Sequence, residues 1–217
     1  MRTISVVARK GGSGKTTLSV HLAIASHLRG HKTVLADADP QRSSSEVLRV
    51  RTVPGPERVE TSGPKLFALQ VAAQRTGVDN LIIDTPAGPE HELGHAVVLA
   101  DLTLLVVRPT FLDIAAAVRT IDMARRLGRP AMIVLNQALV TRAGIEPPSV
   151  VKALEALRFA GFSVASTVIR SRAAYQTALN SGRSAEELPM SPARQEIAGL
   201  WADVEAALYQ NAQLRRA

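Results

Sequence analysis

The sequence contains no cysteine in its 217 residues. That excludes disulfides, thiolate metal sites and clusters bridged by thiolates. Aromatic side chains make up only 3%, so the core has to be assembled mainly from Ala, Val, Leu and Ile. No stretch reaches the roughly 20 apolar residues that a membrane-spanning helix needs. The apolar run near the start is too short for a secretory signal, and a cytoplasmic protein is expected. There is no internal repeat, heptad region or long linker. No segment ahead of the first glycine-rich loop is long enough for a helix-turn-helix, so recognition of an operator by a dedicated domain is not expected.

What is present fits one core. The length predicts a single domain over residues 1–217. Hydrophobic residues make up 46%, and 26 Lys plus Arg against 19 Asp plus Glu give a net charge of +7. A basic balance of this size suits a polyanionic partner, and it also serves solubility alone. Strand-like apolar runs at 3–8, 32–36, 81–83, 102–107, 131–135 and 162–169 alternate with helical patterns. The helices are expected at 16–29, 43–50, 70–75, 90–100, 113–127, 147–160, 173–180 and 192–210. A short strand is expected at 65–69. Residues 51–64 hold two Gly and three Pro and are expected to stay irregular. The alternation predicts an α/β fold, a mostly parallel central sheet with helices on both faces.

The chemistry is concentrated after the first strand, where Arg9 to Thr17 read RKGGSGKTT. The phosphate-loop pattern GxxxxGK[ST] is broken at its first position, which Arg9 occupies, but its physical parts remain. Gly11, Gly12 and Gly14, with Ser13 between them, let backbone N–H groups converge on one centre. The following helix adds its N-terminal dipole. Lys15 can neutralise β- and γ-phosphates, and the Thr16 hydroxyl, followed by Thr17, can ligate Mg²⁺. Asp84 ends an apolar strand, as expected of an acid that holds Mg²⁺ through water. Asp37 and Asp39 straddle Ala38 at the end of another strand. Period-two geometry would turn both to one side, as a water-positioning pair, although ordinary turn acids have the same spacing. The P-loop, Asp39 and Asp84 would then share the carboxyl edge of a parallel sheet.

Taken together, KGGSGKTT, DADPQ and IIDTPAG resemble the deviant Walker A ATPases of the ParA and MinD group. VVRPTFLDIAAA and SRAAYQTALNSGRS are most similar to ParA-type partition ATPases of the short plasmid kind. The resemblance implies an ATP- and Mg²⁺-dependent hydrolase whose two copies close around two ATP molecules, with higher polymers also conceivable. Lys10 would be the signature lysine that reaches the partner's phosphates. Lys15 would be the P-loop lysine and Thr16 the metal ligand. Asp39 would be tied to the attacking water, with Asp37 and Asp84 supporting the metal. Pro86, Ala87 and Gly88 would sense the γ-phosphate. Asn136 would contact adenine, although Ala138 stands where a basic residue is usual.

The resemblance also implies a centromere-binding partner protein, a nucleoid location and sequence-independent DNA binding through arginine–phosphate contacts. Arg170, Arg172 and Arg183 are the candidates. Arg125, Arg126 and Arg129 form a second possible patch, and Arg215 and Arg216 a basic tail. A division-site ATPase on membranes would need a free amphipathic helix. Ile197, Leu200, Trp201, Val204 and Leu208 form an apolar stripe, but its polar side carries Glu196, Asp203 and Glu205 rather than lysines. The stripe is expected to pack on the sheet, and no stable membrane association is expected. A ligase with a similar P-loop would need its own substrate pocket, which nothing in the sequence indicates. Protein cargo in place of DNA is not separable from sequence.

Overall fold

The computed structural model describes all residues except Pro89, Ala160, Phe162 and 215–217, and the side chains of all but these and His91, Glu92 and Leu214. The expected start of a strand at Phe162 and the basic tail of Arg215 and Arg216 therefore lie outside the described residues. Among the described residues, seven strands form one sheet: β1 (Arg2–Val7), β2 (Thr33–Asp37), β3 (Glu57–Glu60), β4 (Asn80–Asp84), β5 (Leu102–Val107), β6 (Ala131–Leu135) and β7 (Ser163–Val164). Their order is β3-β2-β4-β1-β5-β6-β7, and every pairing between them is parallel. The expected parallel α/β architecture is what the structure shows.

Among the described residues, eight α-helices cover the two faces: α1 (Lys15–Leu28), α2 (Ser43–Arg49), α3 (Leu66–Arg75), α4 (Glu90–Leu99), α5 (Phe111–Arg126), α6 (Pro148–Arg158), α7 (Ala173–Leu179) and α8 (Pro192–Leu214). Side chains alternate across the pleat, so each strand feeds both layers. Ile4 and Val6 join Leu18, Leu22, Leu48, Leu179 and Trp201 on the face of α1, α2, α7 and α8. Val7, Leu105, Ile133 and Leu135 meet α4, α5 and α6 on the other face, and Val34, Leu81 and Ile83 meet α3 and α4 there. The stripe of Ile197, Leu200, Trp201, Val204 and Leu208 is buried within the first of these layers, as its acidic polar side suggested.

Three local expectations are corrected. Residues 65–69 are not a strand: a 3-10 turn at Gly63–Lys65 runs straight into α3. Pro64 presets the helical φ at that turn, and buried Leu66 and Ala73 share a helical face. Residues 51–64 are not wholly irregular, because β3 pairs with β2 along the sheet edge. Its Glu57, Arg58 and Glu60 are exposed, so hydrophobic patterning gave no sign of it. Of the expected strand at 162–169, Ser163–Val164 is the described strand portion. Ala165 and Ile169 still donate their N–H groups to the carbonyls of Ile133 and Leu135, which anchors an irregular path to β6.

Register places the candidate acids. Val6 of β1 and Asp37 of β2 both stand opposite Asp84 of β4. The Thr85 hydroxyl donates to the Val6 carbonyl at 2.8 Å, which ties the end of β4 to the strand that leads into the P-loop. From β1 the chain crosses to β2 on one side, while β5 lies on the other. The crevice above β1 is thus the reversal point where open α/β sheets place their ligands.

Candidate nucleotide site

The P-loop turns above β1 and hands over to α1. Gly12 and Gly14 adopt positive φ, whereas Arg9 does not. The side chain at the first motif position is therefore tolerated without backbone strain, and Arg9 lies 3.6 Å from Glu90. Gly14 is doubly constrained. Its φ is +91, and a Cβ there would fall 2.3 Å from Asn136 Nδ2.

A cleft of about 480 Å³ opens over this loop. Gly11, Gly12, Gly14, Lys15, Thr16, Thr17 and Asp39 line it, together with Pro86 and Ala87. These residues, picked from sequence, are brought together. Pro40, Gln41 and Ser43 also line the cleft and were not picked out. They follow Asp39 directly, and the only signal for them was that adjacency.

Charge in the cleft is buried and incompletely balanced. Lys15 is 7% exposed; burial pulls its pKa down, while Asp84 and Asp39 oppose that pull. Asp84 is fully buried, and burial pushes its carboxyl up to about 7. The hydroxyls of Thr16, Ser19 and Ser44 oppose this shift and the neighbouring Asp37 adds to it. Ser19 donates to Asp84 Oδ1 at 3.0 Å, but Asp84 Oδ2 is buried with no hydrogen-bond partner among the described residues. A buried, unpaired carboxylate oxygen beside a threonine hydroxyl is the donor chemistry that a hard divalent cation takes. Thr16 and Asp84 therefore fit Mg²⁺. No cluster of three or more His, Asp or Glu ligands is found among the described residues.

The expected pairing of Asp37 with Asp39 is corrected. β2 ends at Asp37, so period-two geometry does not extend to Asp39. Asp37 is buried and accepts backbone N–H groups from Asp39 at 3.2 Å and Ser45 at 2.9 Å. It braces the start of α2. Asp39 stays in the cleft and accepts from the Gln41 N–H at 2.9 Å. The acids that do stand side by side are Asp37 and Asp84, on neighbouring strands.

Lys10, Ser13 and Asn136 do not line the cleft. Lys10 is 36% exposed and its Nζ lies 3.7 Å from Asp113 Oδ2. Ser13 is buried, and its hydroxyl has no partner among the described residues. Asn136 is buried too and donates to the Ser13 carbonyl at 2.7 Å. Gln137, held at φ +54, donates to the Gly12 carbonyl at 2.8 Å. The loop after β6 thus clamps the P-loop backbone, and Asn136 acts as a brace for that loop.

The Asp113 carboxylate was not singled out from sequence. It sits in the first turn of α5, capped by Thr110, and Arg108 donates to both its oxygens, at 3.0 and 3.2 Å. Burial would push the Asp113 carboxyl up, but Thr110, Arg108 and Lys10 together hold it below the ordinary carboxylate range. Thr110 and Asp113, three residues apart ahead of an apolar run, were a readable helix-start signal; the partnership with Lys10 was not readable.

The three arginines proposed for DNA are differently placed. Arg170 forms a two-pronged pair with Glu146, and its side chain is 12% exposed. Arg172 pairs with Glu196 at 2.7 Å, which also accepts the Tyr175 hydroxyl. Arg183 is half-buried and faces Glu187 electrostatically. Of the second patch, Arg126 is bonded to Glu90 at 2.7 Å and Arg125 lies 3.8 Å from Asp122.

Comparison with known proteins follows the same lines. The family model for the CobQ/CobB/MinD/ParA nucleotide binding domain matches residues 4–185. The maintenance of carboxysome distribution protein A of Gloeobacter kilaueensis is 31% identical over 188 residues, covering 84% of this chain and 83% of that protein. Among solved structures, the cell division ATPase MinD of Pyrococcus furiosus superposes with a TM-score of 0.77 at 22% identity, over 94% of this chain and 98% of that one. A putative plasmid partition protein of Borrelia burgdorferi, bound to AMPPNP, gives a TM-score of 0.68 at 13% identity, over 94% and 98%. At these identities the two structures establish the shared fold.

Proposed function

The chain belongs to the CobQ/CobB/MinD/ParA nucleotide-binding family, and from that premise we propose that it is a Mg²⁺-dependent ATPase whose two copies close around two ATP molecules. The closed dimer binds DNA without sequence preference in the cytoplasm, on the nucleoid, and segregates plasmid or chromosomal DNA. A centromere-binding partner protein raises its slow basal turnover.

The observation that carries this reading is the division between two lysines five positions apart. Lys15 points into its own cleft. Lys10 stands outside that cleft on the lip of the same loop, where a second copy can bring a triphosphate to it. In the cleft, backbone N–H groups of Gly11 to Thr16 and the α1 dipole bind phosphate oxygens. Thr16 and Asp84 would hold Mg²⁺, which when bound would neutralise charge on the phosphate oxygens. Lys15 does the same from a buried position, where each charge counts for more. Asp39, at the cleft wall, orients water. Closure by a second copy excludes bulk solvent and adds Lys10 to the triphosphate.

The test is light scattering with ATP. Lys10→Ala should bind nucleotide as a monomer yet fail to dimerise; an unchanged dimer fraction would defeat the reading. Gel retardation with ATP, ADP and no nucleotide across a salt series tests the DNA step. ATP-dependent, salt-sensitive retention is expected.

Protein cargo is the second reading. It is favoured by the relative from Gloeobacter, whose name ties that protein to carboxysome distribution. A partner that couples this ATPase to a protein assembly instead of a DNA site would decide for it. The membrane reading is disfavoured by burial of the α8 stripe, and sedimentation with anionic liposomes and ATP checks it.

A further inference from the structure

Lys10 is not the only cation on the outer lip of the P-loop. Arg108 follows the last residue of β5 and is oriented by Asp113. Its Nε donates to Asp113 Oδ1 at 3.0 Å and its Nη2 to Oδ2 at 3.2 Å. This two-pronged pair fixes the guanidinium plane. The third nitrogen, Nη1, has no hydrogen-bond acceptor among the described residues and points at the P-loop, 3.9 Å from where a Cβ on Gly12 would sit. Lys10 meets the same carboxylate at 3.7 Å. One acid thus holds two cations beside one glycine.

The charge balance makes this arrangement informative. Two positive groups share one negative group, so the cluster carries an uncompensated positive charge at the mouth of a loop built for phosphate. Neither cation lines the cleft of its own copy. Asp113 also accepts from Thr110, so when Lys10 leaves, the carboxylate keeps two partners and stays satisfied. Departure of Lys10 therefore leaves no orphaned buried charge, and Arg108 remains clamped with Nη1 outward.

We propose that Arg108 is a second cation acting across the dimer, contacting the nucleotide phosphates of the other copy alongside Lys10, with Asp113 as the positioning residue for both. The proposal rests on the reading of the chain as an ATP-bridged dimer. Arg suits the task because its planar fork can bind Asp113 on one edge and offer Nη1 to an anion on the other.

The test compares wild type, Arg108→Ala, Arg108→Lys, Asp113→Ala and the Arg108→Ala/Asp113→Ala double variant, each checked for an intact thermal transition. Affinity of dilute monomer for a mant-labelled ATP analogue, ATP-dependent dimerisation by sedimentation, and ATP turnover are measured. Arg108→Ala should leave monomer affinity within about twofold, and should weaken dimerisation and turnover by about tenfold or more, as expected for loss of a phosphate-directed donor. Arg108→Lys should recover part of that loss. The effect of removing Arg108 should shrink when Asp113 is already absent, because the guanidinium has then lost the residue that positions it.

Three outcomes overturn the proposal. Weakened monomer affinity would put Arg108 on the nucleotide of its own copy. Unchanged dimerisation and turnover would leave it without a role. An undiminished effect in the Asp113→Ala background would remove Asp113 as its positioning residue. If instead wild type neither binds the analogue nor dimerises, the dimeric ATPase reading itself fails, which is a separate result.

Discussion

Two regions of this molecule handle charge in opposite ways. In the nucleotide cleft, charges are buried ahead of their partners. Asp84 is pushed up to about 7, Lys15 is pulled down, and one Asp84 oxygen has nothing to bond. On the surfaces outside the cleft, the acids are partnered within the fold. Asp113 and Glu146 are held below their ordinary range, and hydrogen bonding to Glu146 moves Arg170 upward. The first region gains by binding a ligand, because the ligand supplies what is missing. In the second, Lys10 and Arg170 must leave an internal partner before they can bind anything, so their contacts are conditional. That difference supports the proposed cycle, in which nucleotide is loaded first and a second copy or a polyanion is engaged afterwards.

The comparison is broken most severely by taking the strain out of the cleft. Between pH 4 and pH 7 the folded chain keeps a proton on Asp84 that the unfolded chain has released. Stability of the nucleotide-free protein should therefore fall as pH rises through that window, by about 4 kcal/mol for this group. Urea denaturation at stepped pH reads the slope. Asp84→Asn should flatten it, and an equally steep slope in that variant would assign the effect elsewhere. Next in size, Lys15→Ala removes the buried cation opposite the phosphates. Loss of a desolvated charge partner costs about 2–5 kcal/mol, so ATP affinity measured by calorimetry should drop by about 30-fold or more; retention of wild-type affinity would contradict the cleft assignment.

The smallest effect sharpens the other side. Glu146→Gln would leave Arg170 with a neutral acceptor in place of its carboxylate partner, at a stability cost of about 1 kcal/mol or less. If Arg170 contacts DNA, retention by non-specific duplex should strengthen, with a salt slope steeper by about one unit. An unchanged slope would remove Arg170 from the DNA surface.

The legible and illegible parts of the sequence divide along the same line. RKGGSGKTT, the strand-ending Asp84 and the alternation of apolar runs with helical patterns are local signals, and they led to the cleft and to the parallel sheet. Tertiary partners leave no local trace. Arg170 and Arg172 read as two free cations because Glu146 and Glu196 are 24 residues away from each in sequence. Asp113 was not singled out because its partner Lys10 lies several strands and helices earlier in the chain. β3 was missed because an edge strand with exposed Glu57, Arg58 and Glu60 has no apolar period to detect. Asp37 and Asp39 were paired by a periodicity that stops where the strand stops, one residue before Ala38.

That same charged edge limits how copies of this protein can add to one another. A sheet grows when a new strand bonds to the open side of its last one. Here such growth would have to press Glu57, Arg58 and Glu60 against another chain, and would disturb Arg42 and Arg49, which both reach Glu60. Each copy is thus insulated along the β3 margin, which leaves the P-loop rim for the nucleotide-dependent contact between copies proposed above.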